Sequence, residues 1–193
     1  MKKILLAVLA MILAGTTTAF AEVEGLKDSY VSVGYVFGKT QLKQRGGKMD
    51  VYEPSFNLGI GTSIAATDSD VGVLRLSADW TYRSLESNDH AGDDIDVLIN
   101  TFGANAYFDF KTGTIITPYV NAMVGLTYAH LDFGAGFDKR KTNLSYGMGL
   151  GVAFKINDKT GIDLGYKYSE MMNKVGGFKI KHNDALLSLR LHF

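Results

Sequence analysis

The 193-residue sequence contains no cysteine, only two prolines, and no apolar run longer than three residues beyond residue 21. The lack of cysteine excludes a fold stabilised by disulfides. The lack of long apolar runs excludes membrane-spanning helices in that part of the chain. Lysine and arginine total 20, as do aspartate and glutamate. This balance gives no overall positive field, so we predict no nucleic-acid partner.

The first 21 residues differ in character from the rest. Met1 to Lys3 form a short basic stretch, Ile4 to Ala14 form an unbroken apolar run of 11 residues, and Ala19-Phe20-Ala21 has the small-x-small pattern of a cleavage site. This order is typical of a secretory signal peptide, and the apolar run is too short to cross a membrane. We predict a signal peptide over residues 1–21 and one mature domain over residues 22–193.

In place of long apolar runs, the mature sequence has alternation. From Leu74 to Arg83 every even-numbered residue is apolar or aromatic, and every odd-numbered residue is polar or charged. Because side chains of a β-strand point alternately to its two faces, this segment predicts a strand with one apolar and one polar face. The pattern recurs and predicts eight strands, over residues 29–39, 52–64, 72–83, 97–110, 115–129, 143–156, 161–170 and 183–193.

The predicted connectors alternate in length. Those at 40–51, 84–96, 130–142 and 171–182 contain 12 or 13 residues, and the other three are shorter. Short turns alternating with longer loops on an even number of strands are typical of outer-membrane barrels. We therefore predict an all-β fold, a transmembrane antiparallel eight-stranded up-and-down β-barrel with short periplasmic turns and four longer extracellular loops. Pro54 and Pro118 fall near strand starts, where a missing ladder donor is tolerated.

The distribution of small residues indicates which face of the barrel points inward. The polar faces carry many glycines: Gly34, Gly59, Gly61, Gly103, Gly125, Gly147, Gly149 and Gly151. A solvated surface has no need of small residues, whereas the interior of an eight-stranded barrel is only just wide enough for side chains. We therefore predict that the polar face points inward and the apolar face meets lipid. The alternative, a soluble lipocalin-like barrel, would have the opposite arrangement.

Aromatic residues support the lipid-facing assignment, because membrane barrels carry an aromatic girdle at each interface. One set falls at the predicted loop ends: Phe37, Phe56, Trp80, Tyr82, Tyr128, Tyr146, Tyr166 and Tyr168. A second set falls at the turn ends: Phe108, Phe110, Phe154 and Phe193. Asn100 is an exception, since the pattern places it towards lipid, and we predict a β-bulge there.

The sequence resembles the small opacity-protein-like outer-membrane barrels. The matching segments are NAYFDF (105–110), TPYVNAMVGLTY (117–128), YGMGLGVAFKI (146–156), IDLGYKY (162–168) and the terminal LLSLRLHF. The resemblance implies a location in the bacterial outer membrane. It also implies that Leu189, Leu191 and Phe193 form the signal read by the barrel-assembly machinery. The predicted loops lack the long variable insertions of the adhesive opacity proteins.

Charged residues recur on the predicted inward face. They are Glu53, Arg75, Asp79, Arg83, Asp109, Lys155, Asp163, Lys167 and Arg190. Five cations and four anions nearly balance, and buried charges without partners would be costly. We predict a paired network that plugs the narrow interior. The alternative is a small ion-conducting pore.

The sequence gives little support for a metal site or for catalysis. His90, His130 and His182 fall on the loop side, but no ligand spacing connects them, and we interpret them as exposed rim residues. Barrels of this class that modify lipid A place a serine two residues from a histidine; here Asp132 occupies that position after His130. Ser84, Ser87 and His90 share a loop without forming a recognisable nucleophile–base pair. We predict no cofactor and no enzyme, with lipid A modification as the alternative.

The predicted loops differ in charge. The first and third are basic, through Lys43, Arg45, Lys48, Lys139, Arg140 and Lys141, whereas the second, LESNDHAGDDID (85–96), is acidic. Basic side chains at a rim can bind lipopolysaccharide phosphates. We predict a monomeric surface protein with a structural or adhesion-like role through its loops. Its expected partners are outer-membrane lipid and lipopolysaccharide, the barrel-assembly machinery, and molecules on a host surface.

Overall fold

The computed structural model describes residues 26–44, 47–64, 67–88, 94–132 and 138–193. The signal peptide expected over residues 1–21 lies outside this part of the chain and stays a prediction. Within the described ranges no helix is long and apolar enough to span a membrane. Eight strands make up the fold: β1 (Leu26–Gln44), β2 (Gly47–Ile64), β3 (Gly72–Asn88), β4 (Asp94–Phe110), β5 (Ile116–Asp132), β6 (Asp138–Asn157), β7 (Thr160–Met171) and β8 (Lys179–His192).

The strands form one closed antiparallel barrel in which each pairs with its sequence neighbour and β8 pairs with β1. A path through the paired residues from Tyr30 around the barrel returns to β1 at Thr40, ten residues further along. With about 3.3 Å per residue and about 4.8 Å between strands, this stagger tilts the strands by about 41° to the barrel axis. The predicted eight-stranded up-and-down barrel is confirmed.

The alternation of the sequence becomes the inside and outside of the barrel. Outward-facing apolar side chains are exposed, as Phe37 (61%), Phe102 (60%) and Leu150 (62%) show. Their neighbours one residue away turn inward and are buried, as Val36 beside Phe37 and Thr101 beside Phe102 show. An apolar outer surface of this kind is stable only where it meets lipid.

The strands are longer at their extracellular ends than the sequence pattern predicts. β1 reaches Gln44 rather than residue 39, and β6 begins at Asp138 rather than residue 143. The connectors at that end shrink to 45–46, 89–93, 133–137 and 172–178, so most of each of the first three predicted loops, and five of the twelve residues of the fourth, belong to paired hairpin arms. The arms carry charged residues that interrupt the apolar alternation, but their backbone ladder is unbroken: Lys43, for example, pairs with Lys48.

Inward-facing glycines make room for large interior side chains. A Cβ placed on Gly61 would overlap the Tyr30 hydroxyl and lie 2.5 Å from the ring carbon that bears it. A Cβ on Gly59 would lie 2.6 Å from both the Asp79 carboxylate and the Ser32 hydroxyl. Glycine is therefore required at these positions, because the side chains of their partners on the neighbouring strands occupy the space that a Cβ would need.

Asn100 sits in a regular ladder, so the predicted bulge is wrong. The register of β4 with both neighbours is continuous through this residue. The indole Nε1 of Trp80 donates a hydrogen bond to Asn100 Oδ1 at 3.2 Å, which gives the side-chain oxygen a partner on the outer surface. This pairing within the extracellular aromatic girdle explains how a polar side chain is accommodated there.

Candidate functional site: the barrel interior and the extracellular rim

The periplasmic half of the barrel interior is filled by ion pairs and tyrosines. Arg75 donates from Nε to Asp109 Oδ2 at 2.7 Å and from Nη2 to Asp109 Oδ1 at 3.0 Å, and its Nη1 donates to the Tyr30 hydroxyl at 2.9 Å. Its guanidinium also lies 4.1 Å from the ring centroid of Tyr107. The planar, delocalised guanidinium suits both contacts, because it forms bidentate ion pairs and stacks on aromatic rings.

A second arginine–aspartate pair and a hydrogen-bonded aspartate share this layer. Arg190 Nε lies 2.7 Å from Asp163 Oδ2. Asp79 accepts hydrogen bonds from Ser77 at 2.8 Å and from Asn105 at 2.9 Å. A cavity of about 20 Å³ remains between these groups, with space for about one water molecule.

Higher in the barrel, Arg83 pairs with Asp184, a residue absent from the predicted network. Arg83 Nη2 and Nη1 donate to the two Asp184 oxygens at 2.6 and 3.1 Å, and both side chains are almost fully buried. Lys167 is the register partner of Asp184 on β7 and is half-buried. The alternation of strand eight already placed Asp184 on the same face as Arg190, so the sequence held the information needed to include it.

The outcome differs for two other members of the predicted network, Lys155 and Glu53. Lys155 lies at the turn end, where its Nζ is 2.7 Å from Asp158 Oδ1 and its side chain is 63% exposed. The prediction that Lys155 lies inside the barrel is therefore wrong. β6 ends two residues later, at Asn157, so Lys155 lies at the open end of the barrel and is exposed to solvent. The Glu53 side chain lies outside the described part of the structure.

The extracellular end of the interior is apolar rather than ionic. The inward-facing side chains of five strands and of the segment after β7 form a buried cluster there. The cluster, referred to below as the apolar cap, consists of Leu42, Val97, Ile99, Ala129, Leu131, Met171, Val175 and Ile180, with Met49 and Phe178 packed against it. The sequence pattern did not predict it, because most of these residues fall at strand ends or in segments interpreted as loops.

The predicted basic contact residues divide between two sides of the barrel. Lys43 and Lys48 are exposed on the β1–β2 arm. On the β5–β6 side, Arg140 Nη2 lies 3.1 Å from Asp138 Oδ2, and Lys141 Nζ donates to the Lys174 backbone oxygen at 3.4 Å. Lys139 is also exposed on that arm. Arg45 and the side chains of the acidic segment 85–96 lie outside the described part.

A cluster of charged residues joins β7 to β8, and the sequence pattern did not predict it. Glu170 lies 2.5 Å from Lys179 Nζ and 3.2 Å from Lys181 Nζ, and it accepts a hydrogen bond from the Tyr168 hydroxyl at 2.7 Å. Burial raises the pKa of Glu170, but hydrogen bonds from these three residues outweigh it and bring that pKa to about 2. Lys179 and Lys181 alternate with Ile180 and His182, a pattern that could have extended strand eight.

The histidines that the structure describes do not form a cluster. His182 is buried inside the barrel, with Nδ1 2.8 Å from the Thr40 hydroxyl, so its interpretation as an exposed rim residue is wrong. His130 Nε2 lies 3.0 Å from Asp138 Oδ1 on the outer side of the β5–β6 arm. His90 lies outside the described residues. Within the described ranges, no three histidine, aspartate or glutamate side chains are grouped so that they could hold a metal ion.

The residues considered for catalysis show no assembled nucleophile–base pair in the part that the structure describes. Ser84 is half-buried near the end of β3. His130 contacts Asp138 across the β5–β6 hairpin. The Ser87 side chain and His90 lie outside the described part.

The residues expected to form the assembly signal complete the barrel. Leu189 and Leu191 pair with Val33 and Val31 on β1, and the Phe193 backbone N–H donates to Ser29 O at 3.0 Å. Leu189 and Phe193 are exposed on the outer surface. The role of these three residues as a recognition signal stays a prediction.

Solved structures that share this fold include two surface proteins. The crystal structure of neisserial surface protein A superimposes with a TM-score of 0.71 at 25% identity, covering 88% of this chain and 100% of the other. Ail, the attachment invasion locus protein of Yersinia pestis, in complex with the heparin analogue sucrose octasulfate, superimposes with a TM-score of 0.52 at 19% identity, covering 86% and 100%. The latter likeness establishes a common fold alone.

Sequence comparison identifies the family of the protein as well as its fold. The outer membrane protein PagN of Salmonella typhimurium is 32% identical over 117 residues, covering 49% of this chain and 48% of PagN. The match therefore spans about half the length of that relative. The sequence profile of the family described as "Outer membrane protein beta-barrel domain" matches residues 7–193, nearly the whole chain. The protein thus belongs to this outer-membrane β-barrel family and is located in the bacterial outer membrane.

Proposed function

We propose that this protein is a surface protein with a structural or adhesion-like role, acting through its extracellular hairpins, and that its interior conducts no ions. The observation that carries the proposal is the continuation of paired strands above the aromatic girdle. On the β5–β6 arm, for example, pairing extends from Tyr128 and Thr142 to Asp132 and Asp138. Such arms present side chains on an ordered backbone, so binding a partner costs little conformational entropy.

The apolar cap supports a closed interior. A hydrated ion entering from outside would have to pass buried side chains such as Leu42, Ile99 and Leu131, which offer no polar groups to replace its water. Towards the periplasm it would meet Arg75–Asp109 and Arg190–Asp163, whose charges are already paired. In planar bilayers the purified protein should give no stable conductance steps, while a porin in the same bilayers gives them. Large, reproducible steps would contradict the closed interior.

The adhesion-like role is tested by trimming the hairpin tips while keeping the register. Replacing 44–47, 88–94 and 132–138 each with Asn-Gly joins residues that are already paired: Lys43 with Lys48, Ser87 with Ile95, and Leu131 with Lys139. Asn-Gly suits a two-residue hairpin turn. The variant keeps Leu42 and Leu131 of the apolar cap, so it should fold.

Cells producing the trimmed variant should lose adherence to host cells or to surface glycans that cells producing the unaltered protein show. The folded state of both is compared by resistance to detergent unfolding without heating, and their surface levels are matched. Equal adherence of the trimmed, folded variant would refute the role of the hairpins. Lipid A composition, measured by mass spectrometry in the same cells, should not change with production of either form.

Lipopolysaccharide and host-surface molecules are the partners that this role implies. The exposed Lys43 and Lys48 lie on an arm that rises from the aromatic girdle. Lysine side chains bind phosphate as point charges. Assembly by the barrel machinery and a monomeric state are part of the same proposal.

A further inference from the structure

Five lysines share one outer side of the barrel. They lie on the outward faces of three neighbouring strands, β8, β1 and β2, and are called here the basic wall: Lys39, Lys43, Lys48, Lys179 and Lys181. Lys43 pairs with Lys179 on one side and with Lys48 on the other, so three lysines form a row across the strands. Neighbouring strands lie about 4.8 Å apart, which lets a single phosphate contact two of these ammonium groups.

The basic wall begins directly above the aromatic girdle. On β1 the outward residues run from Tyr35 and Phe37 to Lys39 and then to Lys43. Tyr35 packs edge-on against Phe37 and Phe56, with ring centroids 4.6 and 5.8 Å apart. Aromatic girdles mark the membrane interface, and the wall therefore lies at the depth of the lipid headgroups and faces sideways towards them.

The wall carries more positive charge than its own acids neutralise. Asp50 lies 2.7 Å from Lys39 Nζ and 3.6 Å from Lys48 Nζ. Glu170 holds Lys179 and Lys181 in the same way. Five lysines and two acids leave a net charge of +3, and among the described residues no ion pair holds Lys43.

The opposite side of the barrel provides a contrast. At the corresponding height on the outward face of β5 and β6, Arg140 pairs with Asp138, which also contacts His130. Asp132 lies on the same face. One arginine and one histidine face two aspartates there, so this outward face has no excess of positive charge. The charge asymmetry between the two sides favours a specific binding surface over a uniformly basic rim.

We propose that the basic wall binds the phosphate groups of lipid A in the surrounding outer leaflet. A host glycan would approach from above, whereas the row formed by Lys179, Lys43 and Lys48 faces sideways at headgroup level, where lipid A phosphates are found. The inference deepens the proposed function, on which it rests for lipopolysaccharide as a partner. It adds the strands involved and brings in Lys179 and Lys181.

The test compares two triple variants of the full protein purified from outer membranes. K43Q/K48Q/K179Q removes the row but leaves Asp50 with Lys39 and Glu170 with Lys181, so each acid keeps one lysine. K111Q/K155Q/K159Q removes the same charge at the turn end. Binding of bisphosphorylated lipid A in detergent micelles is measured by native mass spectrometry, and folding is checked by resistance to detergent unfolding.

Loss of the row should weaken lipid A binding about tenfold, because each exposed lysine–anion contact contributes a factor of about two to five. The turn-end variant should bind as the unaltered protein does, and monophosphorylated lipid A should bind the unaltered protein more weakly. Equal weakening in both variants would indicate a bulk charge effect and overturn the proposal, as would unchanged binding in K43Q/K48Q/K179Q. Displacement of lipid A by inorganic phosphate or heparin oligosaccharide as readily as by more lipid A would also overturn it.

These results are separable from those on adhesion. Adherence lost on trimming the tips, with lipid A binding unaffected by K43Q/K48Q/K179Q, refutes the basic wall and leaves the adhesion-like role intact. Lipid A binding lost in K43Q/K48Q/K179Q, with adherence unaffected by trimming, supports the wall and refutes that role.

Discussion

The substitution Asp184→Asn probes the pair that links the ionic layer of the barrel to the apolar cap. Asp184 accepts two hydrogen bonds from Arg83, and Lys167 is its register partner. Asparagine keeps the size of the side chain but removes the charge. The variant therefore leaves the Arg83 guanidinium buried beside a second cation without its carboxylate partner.

The expected cost follows from burial. The Arg83 and Asp184 side chains are 3% and 1% exposed, and the shorter contact is 2.6 Å. Removing one partner of such a pair destabilises a protein by about 3–5 kcal/mol, because the remaining charge stays buried. Replacing both, as R83Q/D184N, removes the uncompensated charge, so we expect the double variant to be at least about 2 kcal/mol more stable than D184N.

Unfolding by urea in phosphatidylcholine vesicles provides the measurement. Trp80 is the sole tryptophan of the sequence and lies at the outer surface against Phe102, with ring centroids 6.2 Å apart. Its fluorescence therefore reports transfer of the barrel wall from lipid to water. A loss below about 1 kcal/mol in D184N, or a double variant no more stable than the single one, would refute the assignment of Arg83–Asp184 as a tightly coupled buried pair.

Two further predictions concern other parts of the barrel. Gly61→Val should destabilise by about 1–3 kcal/mol in the same assay, because its side chain would overlap Tyr30, while Gly47→Val, where a Cβ meets no atom within 4 Å, should have little effect. At neutral pH the free energy of unfolding of the unaltered protein should be about 1–2 kcal/mol larger than that of the variant Glu170→Gln. Since the pKa of Glu170 falls from 4.5 to about 2 on folding, that advantage should disappear as the pH drops through this interval; an advantage that persists below pH 2 would contradict the ion-pair account.

Strand number, order and facing could be predicted from the sequence because a membrane barrel imposes a strict two-residue period. Leu74 to Arg83 shows that period without exception, and it lies within β3 as expected. The arms above the aromatic girdle have no lipid acyl chains on their outer side, so charged residues appear there on both faces and the period weakens. Strand ends near Gln44 and Asp138 were missed for this reason.

The ion-pair partners inside the barrel were harder to predict than the face on which each side chain lies. Alternation places Arg75, Arg83 and Arg190 inside, but their partners depend on the stagger of the strands, which shifts the register by ten residues around the barrel. Asp184, 101 residues from Arg83, reaches it only because of that stagger. The basic wall depends on stagger in the same way, since Lys43 and Lys179 are far apart in sequence.

The contact between β1 and β8 joins residues that are much farther apart in sequence than those of any other strand contact. Seven of the eight pairings are hairpins between consecutive strands, whereas this one joins Tyr30 to His192. Closing so long a loop costs the most chain entropy, and contacts distant in sequence form slowly. The hairpins can therefore form before this contact does, and barrel closure is expected to set the rate of folding. Substitutions at the β1–β8 contact should alter how fast the protein folds, whereas those within a hairpin alter mainly how stable the folded barrel is.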